Sequence, residues 1–371
     1  MRIAVVTDAW TPQRNGVVTV LVDLRARLRA MGHDVVVIEP SAFRTFRCPG
    51  YREIELAWGA SREMRRQLES SRADAIHIAT EGPLGFAARA HCRAAGLAFT
   101  TAFHSRFPDF LNAATGIPAR WGYAVMRRFH APSSGVMVPS SGTYDLLASH
   151  GFTNLRRWSH GIDLDLFRPC TVPSRWRHPV FLFVGRVSVE KNLESFLRLE
   201  LPGSKVVCGG GPLLDRLRAR YPAVHWTGPL PREQLVAHYA AADVFVYPSR
   251  TDTFGLVMLE ALACGTPVAA YPVAGPLDVV GMSDAGVLDD DLQSAALRAL
   301  AIPRERARAR AMLFDRDDVA RRFVDHLVPA STGVTQRASA VTALSPDRRK
   351  LPSKASTWTA PDPATERTPQ V

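Results

Sequence analysis

Two acidic residues, Asp252 and Glu260, lie eight positions apart in the segment YPSRTDTFGLVMLEALACGTPV. Glu260 is the only charged residue between Phe254 and Gly265, in a run that is typical of a buried helix. A partly buried carboxylate needs hydrogen-bond donors, and the hydroxyl groups of a sugar supply such donors. The pair could therefore bind a sugar. The alternative is that Asp252 caps the helix and that Glu260 is a solvated helical acid.

A second candidate group is cationic. The segment FLFVGRVSVEKNLESF places Arg186 directly after a predicted buried strand and Lys191 at the start of the next helix. Two cations beside a helix N-terminus could bind a diphosphate, because backbone N–H groups and positive charge then point the same way. A solvated turn with two basic residues is the alternative, and this segment alone does not choose between them.

A run of three glycines, Gly209 to Gly211, follows the next predicted strand in VVCGGGPLLDRL. Glycine at such a turn lets the backbone approach a flat ligand closely, with Gly210 as the candidate contact. The spacing does not match GxGxxG, and a tight turn explains the run equally well.

The elements that must position these residues are short β-branched runs alternating with amphipathic segments. RIAVVTD, HDVVVIEP and ADAIHIA begin the series, and PVFLFVGR restarts it. Such runs predict parallel sheets covered on both faces, hence an α/β protein with two doubly wound Rossmann-like domains at residues 1–165 and 166–330. Residues 331–371 are rich in Ser, Thr and Pro and predict a disordered basic tail.

Ligands of doubly wound sheets bind outside the carboxyl ends of the strands. With two facing domains, the expected site is the cleft between them. Asp252 follows the predicted strand DVFVYPS and Arg186 follows FLFVG, so both belong to that edge of the second sheet.

The composition limits the classes of partner and site. The net charge of +11 favours an acidic partner such as a nucleotide phosphate, an anionic lipid or a nucleic acid. The five cysteines are far apart and form no CxxC pair, which predicts neither a disulfide framework nor a zinc site. The sequence shows neither a signal peptide nor an apolar run of about 18 residues, so we expect a cytoplasmic protein.

Two acidic triplets could suggest a metal site of the Asp-x-Asp type. One is Asp163-Leu164-Asp165, in the predicted linker, and the other lies within Asp289–Asp291. Both are far in sequence from the cationic candidates, and we interpret them as surface acids. We therefore expect no metal.

Taken in order, the motifs GR…EKN, GGGP and YPSRTDTFGLVMLEALACGTPV resemble those of the retaining glycosyltransferases of family 4. DAWTPQRNGVVT, TTAFHSRFPDFL and SHGIDLDLFRP extend the resemblance to about residues 1–328. It implies the GT-B fold, in which two Rossmann-like domains face each other across a cleft. It also implies that Arg186 and Lys191 bind the diphosphate of a nucleotide sugar, that Glu260 binds the ribose and that Asp252 binds the donor sugar.

The resemblance assigns further contacts. It implies that the backbone amides around Phe254, Gly255 and Leu256 meet the donor, and that Gly16 lies in a loop closing over the phosphates. His104 corresponds to a histidine that meets the transferred sugar or the acceptor. The family usually has Glu where this chain has Asp252. TDTFG also occurs in the mannosyl- and sulfoquinovosyl-transferring branch, so we interpret the Asp as a trait of that subgroup.

By this resemblance the chain would transfer a hexose, with mannose favoured, to a lipid or glycan acceptor with retention. The expected co-substrate is GDP-mannose rather than a UDP-sugar, and no cofactor is expected. One alternative is another GT-B sugar enzyme, an epimerase or a phosphorylase; a second is a non-catalytic nucleotide-sugar-binding protein. A nucleic-acid partner is disfavoured, because no basic helix with base-reading residues and no aromatic platform is evident.

The segment ARWGYAVMRRFH sets Trp121 and Tyr123 beside Arg120, Arg127 and Arg128. One interpretation is an interfacial helix that contacts an anionic membrane surface, which would place the protein at the inner face of the plasma membrane. The other is an ordinary helix whose aromatic residues pack inward. The sequence favours neither.

Overall fold

Two parallel six-stranded sheets form the scaffold of the protein. The computed structural model describes residues 1–13, 15–48, 51–173 and 175–330. The first sheet has the strand order β2-β1-β5-β6-β7-β8, and the second has the order β11-β10-β9-β12-β13-β14. All ladders within both sheets are parallel, as the apolar runs predicted, and β3 and β4 form a separate antiparallel pair.

The strands occupy short stretches of the chain. Those of the first half are β1 Arg2–Val6, β2 Asp34–Ile38, β3 Thr45–Cys48, β4 Tyr51–Ala57, β5 Ala75–Ile78, β6 Thr100–Ala102, β7 Val136–Val138 and β8 Leu155–Arg157. Those of the second half are β9 Val180–Val184, β10 Ser204–Cys208, β11 His225–Gly228, β12 Val244–Tyr247, β13 Val268–Ala270 and β14 Gly286–Leu288.

Helices connect the strands and cover both faces of each sheet. The first six are α1 Gly16–Ala30, α2 Ser61–Ser71, α3 Pro83–Ala95, α4 Phe107–Thr115, α5 Ala119–His130 and α6 Ser141–Ser149. The others are α7 Leu193–Leu197, α8 Leu214–Arg220, α9 Arg232–Ala241, α10 Leu256–Ala263, α11 Ala274–Val279, α12 Leu292–Ala299, α13 Arg304–Ala311 and α14 Arg316–His326. Short 3-10 helices span Pro40–Ala42 and Val189–Lys191.

Strand β9 lies at the centre of the second sheet, and its five residues VFLFV are all buried. An uninterrupted apolar run is what a strand covered on both faces requires. The chain moves outward from β9 through β10 to β11 and then returns to the other side of β9 as β12. The crevice where the strand order reverses therefore lies beyond the carboxyl ends of β9 and β12.

The last helix, α14, packs against the first sheet. Phe323 is fully buried in a cluster with Ile3 and Val5 of β1. The indole N–H of Trp158 donates to the Val319 carbonyl over 3.1 Å. The boundaries expected at 165 and 330 stay predictions; they would assign this helix to the second domain, although its apolar face completes the first. The predicted tail, residues 331–371, lies outside the described residues.

No helix in the described part of the chain is long and apolar enough to cross a membrane.

Candidate active site

The topology brings Lys191 and Asp252 together at the crevice beyond β9 and β12. The Lys191 ammonium donates to both carboxylate oxygens of Asp252, at 2.7 Å each. Neither side chain is fully exposed, at 25% for Lys191 and 14% for Asp252. The Asn192 side chain donates to the Pro248 carbonyl over 3.0 Å, which ties the loop after β9 to the end of β12. Lys191, the predicted phosphate-binding cation, is thus in direct contact with Asp252, the predicted sugar-binding carboxylate.

Asp252 has a second partner that the sequence analysis missed. Tyr247, the last residue of β12, is buried, and its hydroxyl donates to Oδ2 of Asp252. Burial, and next the negative charge of Asp252, raise the pKa of Tyr247 well above its ordinary value. The hydroxyl therefore stays a donor throughout the neutral range. A residue with a polar hydroxyl at the end of an otherwise apolar strand is the one signal in the sequence that could have indicated it.

Helix α10 begins directly beyond this cluster. Its N-cap is Gly255, in the left-handed region at φ 89°, and no side-chain cap bond is found there among the described residues. A Cβ on Gly255 would lie 2.7 Å from both the Tyr247 hydroxyl and Cε of Met258. Glycine is required by conformation and by space. The alternative that Asp252 caps this helix is wrong, because its carboxylate is bound by Lys191 and Tyr247.

Glu260 lies about one turn into α10 and is 6% exposed, so the alternative of a solvated helical acid is wrong. Its Oε1 accepts from Arg232 over 3.2 Å and its Oε2 from the Tyr239 hydroxyl over 2.8 Å. Burial raises the pKa of Glu260, and Arg232 and Tyr239 oppose that shift. Both partners lie on α9, and their distance in sequence hid them from the sequence analysis.

Glu260 and Arg232 line a pocket. Its walls come from both halves of the chain, with Thr19 from α1 and Leu256 from α10. His160, in the segment that links the two sheets, also lines the pocket. The pocket therefore lies between the two sheets, where the sequence predicted the cleft.

The glycine run after β10 packs against the turn after β9 that carries Arg186. A Cβ on Gly209 would overlap the Gly185 carbonyl oxygen, and one on Gly211 would lie 2.5 Å from the Val187 carbonyl oxygen. The Val187 N–H donates to the Gly210 carbonyl over 2.9 Å. Two of the three glycines are thus needed for packing of the two turns, and the ligand contact of Gly210 stays a prediction.

His104 follows β6 of the first sheet and is 9% exposed. Burial lowers its pKa to about 4, so the ring is neutral at neutral pH. It stacks on His160 with ring centroids 5.9 Å apart, and its Nε2 is buried without a hydrogen-bond partner in the described chain. Its carbonyl accepts from the Thr253 hydroxyl over 2.7 Å, which connects it to the loop of Asp252.

Gly16 and Leu256 bring the two halves together at a second point. Gly16 begins α1, whose N-cap Asn15 accepts from the Val18 N–H over 3.0 Å. A Cβ on Gly16 would lie 3.9 Å from Cδ1 of Leu256. The buried ring of Phe254 packs edge-on against His160 at 5.0 Å, so only its backbone could reach a ligand.

The acidic triplets have structural roles. Asp163 pairs with Arg316 at 2.5 Å and accepts from the Asp165 and Leu166 amides. Asp291 caps α12 through two backbone amides. Within the described residues no group of three His, Cys, Asp or Glu side chains could hold a metal ion. The expectation that the reaction needs no metal stays a prediction.

Comparison with known proteins identifies the family. A family model described as Glycosyltransferase Family 4 matches residues 14–166, and one described as Glycosyl transferases group 1 matches residues 173–302. A GDP-mannose-dependent alpha-mannosyltransferase of Mycobacterium tuberculosis is 30% identical over 316 residues, covering 78% of this chain and 83% of the relative. The chain belongs to glycosyltransferase family 4. The sulfoquinovosyl transferase of Arabidopsis thaliana is also 30% identical to this transferase, over 68% of the chain and 56% of the plant protein.

Solved structures agree on the fold of the transferase. Sucrose-phosphate synthase of Thermosynechococcus elongatus superposes with a TM-score of 0.71 at 20% identity, covering 92% of this chain and 100% of that structure. Anabaena HepE, solved with UDP and glucose, gives 0.65 at 15% identity, covering 88% and 98%. These likenesses show the GT-B fold, which confirms the predicted fold class. The transferase is a hexosyltransferase that uses a nucleotide sugar.

Proposed function

We propose that the transferase moves mannose from GDP-mannose to a lipid or glycan acceptor, with retention and without a metal. The contact of Lys191 with Asp252 beside the N-terminus of α10 carries the proposal. It sets a cation suited to a diphosphate against a carboxylate suited to sugar hydroxyls. Relatives named as GDP-mannose-dependent mannosyltransferases, at about 30% identity, support the choice of sugar and nucleotide.

The leaving group is the part of the donor that most needs stabilisation. Transfer develops negative charge on the departing diphosphate, which Lys191, Arg186 and the first amides of α10 would bind. One such preorganised contact is typically worth about 2.7–4 kcal/mol of the barrier. Asp252 pairs with Lys191 and so holds the cation at the position where we propose that the diphosphate binds.

Other residues of the site would contact the remaining parts of the donor. Glu260 would accept from the ribose hydroxyls, and Arg232 and Tyr239 hold its carboxylate in place. Gly16 and Gly210 would approach the donor through their backbones, together with the amides of Phe254 and Gly255. His104, neutral and with a buried unpartnered Nε2, would meet a hydroxyl of the transferred sugar.

For retention, we propose attack of the acceptor on the same face of the sugar from which the diphosphate departs. The donor phosphate would take the proton of the acceptor hydroxyl. Asp252 is already bound by Lys191 and Tyr247, which suits binding of a sugar better than nucleophilic attack. The product from a GDP-α-mannose donor would then be an α-mannoside.

The acceptor side of the proposal rests on the surface of α4 and α5. Of the two aromatic residues that the sequence analysis named in α5, Tyr123 is buried and stacks on His150, whereas Trp121 is 61% exposed. Inward packing therefore holds for Tyr123, and the membrane contact of Trp121 stays a prediction. Arg120 and Arg128 are exposed on the same helix. The exposed apolar residues of what we call the α4–α5 surface are Phe107, Ile117, Trp121 and Val125. Such a surface suits a lipid acceptor in an anionic membrane.

Sedimentation with vesicles tests the membrane contact. Trp121→Ala combined with Val125→Ala should lower binding to vesicles rich in anionic lipid. Trp58→Ala, which removes an indole that is 73% exposed elsewhere on the first half of the chain, is the matched control. Equal binding of anionic and neutral vesicles by the wild-type protein would remove the membrane surface from the proposal. The predicted place at the inner face of the plasma membrane would fall with it.

Thermal shift with GDP-mannose, UDP-glucose and ADP-glucose tests the donor. A ligand at 100 times its Kd stabilises the folded state by about 2.7 kcal/mol, and we expect GDP-mannose to give the largest shift. Stabilisation by none of the three would contradict the proposal. Turnover that survives a chelator and gives an α-linked product by NMR would support the metal-free retaining route. Acceptor-free isomerisation or phosphate-dependent cleavage would instead favour an epimerase or a phosphorylase, and binding without turnover a non-catalytic protein.

A further inference from the structure

We propose that Tyr247 is a positioning residue that sets the sugar specificity of the transferase through its hydrogen bond to Asp252. This inference rests on the proposed role of Asp252 in binding the donor sugar. Like Tyr239, Tyr247 has a side chain that belongs to the core and a hydroxyl that reaches a carboxylate of the site, in this case that of Asp252.

The burial of Tyr247 fixes its hydroxyl in space. The residue is 2% exposed, and its ring stacks on Phe245 with centroids 6.3 Å apart. The ring packs in the same apolar cluster as Val184 of β9 and Met258 of α10. A ring held on several sides cannot follow a moving ligand. Its hydroxyl is therefore a fixed donor at the carboxyl end of β12.

The hydroxyl fills the space between the Asp252 carboxylate and the start of α10. It donates to Oδ2 of Asp252, and it would lie 2.7 Å from any Cβ placed on Gly255. The same oxygen thus limits the position of the Asp252 carboxylate and the space at the N-cap of α10. The amides of that helix would meet the donor. Any shift of the hydroxyl would change the distance between these two parts of the site.

Hydrogen bonding limits what Asp252 can offer a sugar. An ionised carboxylate has about four lone-pair directions. Lys191 donates to both oxygens and Tyr247 to Oδ2, which leaves about one direction for a hydroxyl of the ligand. A single remaining direction favours the hexose whose hydroxyl lies in line with it and disfavours its epimers.

The space around Asp252 also explains its length. A Glu at this position would advance the carboxylate by one C–C bond, about 1.5 Å. The Tyr247 hydroxyl and the Lys191 ammonium already lie against the carboxylate on that path. The shorter acid and the hydroxyl therefore form one unit, and removal of the hydroxyl should make room for the longer acid.

The test compares Tyr247→Phe, Asp252→Glu and the double variant, with kcat/KM for GDP-mannose and GDP-glucose, the Kd for GDP and the melting temperature of each. Tyr247→Phe keeps the ring. We expect it to lower kcat/KM for GDP-mannose about tenfold, which is the effect of losing one hydrogen bond. We also expect a smaller preference for GDP-mannose over GDP-glucose. The Kd for GDP should change less than about twofold. Asp252→Glu should lose more activity than Tyr247→Phe, and the double variant should regain part of that loss because the two sites are coupled.

Tyr239→Phe is the matched control, because it removes another buried tyrosine hydroxyl that donates to a carboxylate, that of Glu260. It should weaken GDP binding and leave the ratio between the two sugars unchanged. The opposite responses of the two variants are the signature of the proposal.

Three outcomes would overturn the inference. One is a Tyr247→Phe variant with wild-type kcat/KM and sugar ratio. Another is equal loss for both sugars together with a lower melting temperature, which would indicate a structural role only. The third, decisive even where Tyr247→Phe fails to fold, is an Asp252→Glu variant with a wild-type sugar ratio. A wild-type protein without turnover of any nucleotide sugar would instead refute the proposed function, and the inference would fall with it.

Discussion

At the scale of single residues, the site is organised as pairs of opposite charge. Lys191 holds Asp252, and Arg232 holds Glu260. Each pair joins a cation to an acid from another part of the chain. Each cation satisfies the acid of its pair and limits the direction in which that acid can accept from a hydroxyl.

Lys191→Ala tests the first pair. We expect kcat to fall by about 100-fold or more, because a fixed cation at the leaving group is lost. The fold should persist, since the Tyr247 hydroxyl still donates to Asp252. Arg250→Ala is the control, because Arg250 lies in the loop of Asp252 but pairs with Asp290 at the surface. Equal losses in steady-state kinetics for the two variants would contradict the assignment of Lys191.

Buried histidines predict how stability depends on pH. Burial lowers the pKa of His77 to about 3 and that of His104 to about 4, from 6.5. Each ring is neutral in the folded state, so its contribution is complete above pH 6.5 and is lost as pH falls toward the lower value. Asp8 and Glu260, whose pKa values burial raises, act in the opposite direction.

We therefore expect the melting temperature to fall between pH 6.5 and about 4. His77→Gln, which removes one titrating ring from β5, should make that fall smaller. Calorimetry of the two proteins over this range is the measurement. Parallel profiles for wild type and variant would show that His77 does not contribute.

At the scale of elements, the turns after β9 and β10 act as one support for the cationic side of the site. Gly209→Ala would force a Cβ onto the Gly185 carbonyl oxygen. We expect a loss of about 3 kcal/mol in the free energy of unfolding, at the upper end for overpacking, and weaker donor binding.

The control for this variant is Gly96→Ala, after α3. Gly96 has a positive φ of 67° but nothing within 4 Å of an added Cβ. It should cost about 1 kcal/mol from backbone strain alone and leave donor binding unchanged. Denaturant unfolding and thermal shift with GDP-mannose separate the two effects.

The placement of the site on this edge was predictable from sequence, and its internal contacts were not. Arg186 and Asp252 each follow an apolar run, and the rule that ligands bind beyond parallel strands places both at one edge. The sequence did not predict the roles of Tyr247, Tyr239 and Arg232, because those roles depend on packing between elements. Period and composition describe one element at a time, so they cannot show which side chains of neighbouring elements meet.

The fold, like the site, was predictable from the sequence only in part. The runs of β-branched residues predicted two parallel sheets, and both are present. The packing of α14 on the first sheet was not predicted, because its amphipathic pattern indicates a buried face but not which sheet covers it. The run of glycines similarly indicated a turn without showing that Gly209 and Gly211 are needed for packing.

At the scale of the whole molecule, α14 makes the two halves depend on each other. Phe323→Ala should lower the free energy of unfolding by about 3–5 kcal/mol, because Phe323 is fully buried beside Ile3 and Val5. Leu313→Ala, at a side chain that is 71% exposed, should change it by less than about 0.5 kcal/mol. Denaturant titration measures both, and similar values for the two would contradict the packing described for α14.

The return of α14 has a consequence for the order in which the protein is made. The ribosome delivers β1 and α1 first, yet the apolar cluster that contains Leu24 and Leu28 also includes Phe323, which emerges near the end of the described chain. The first sheet therefore leaves the ribosome with part of its apolar surface exposed. That surface stays uncovered until the whole second sheet and α14 have been synthesised.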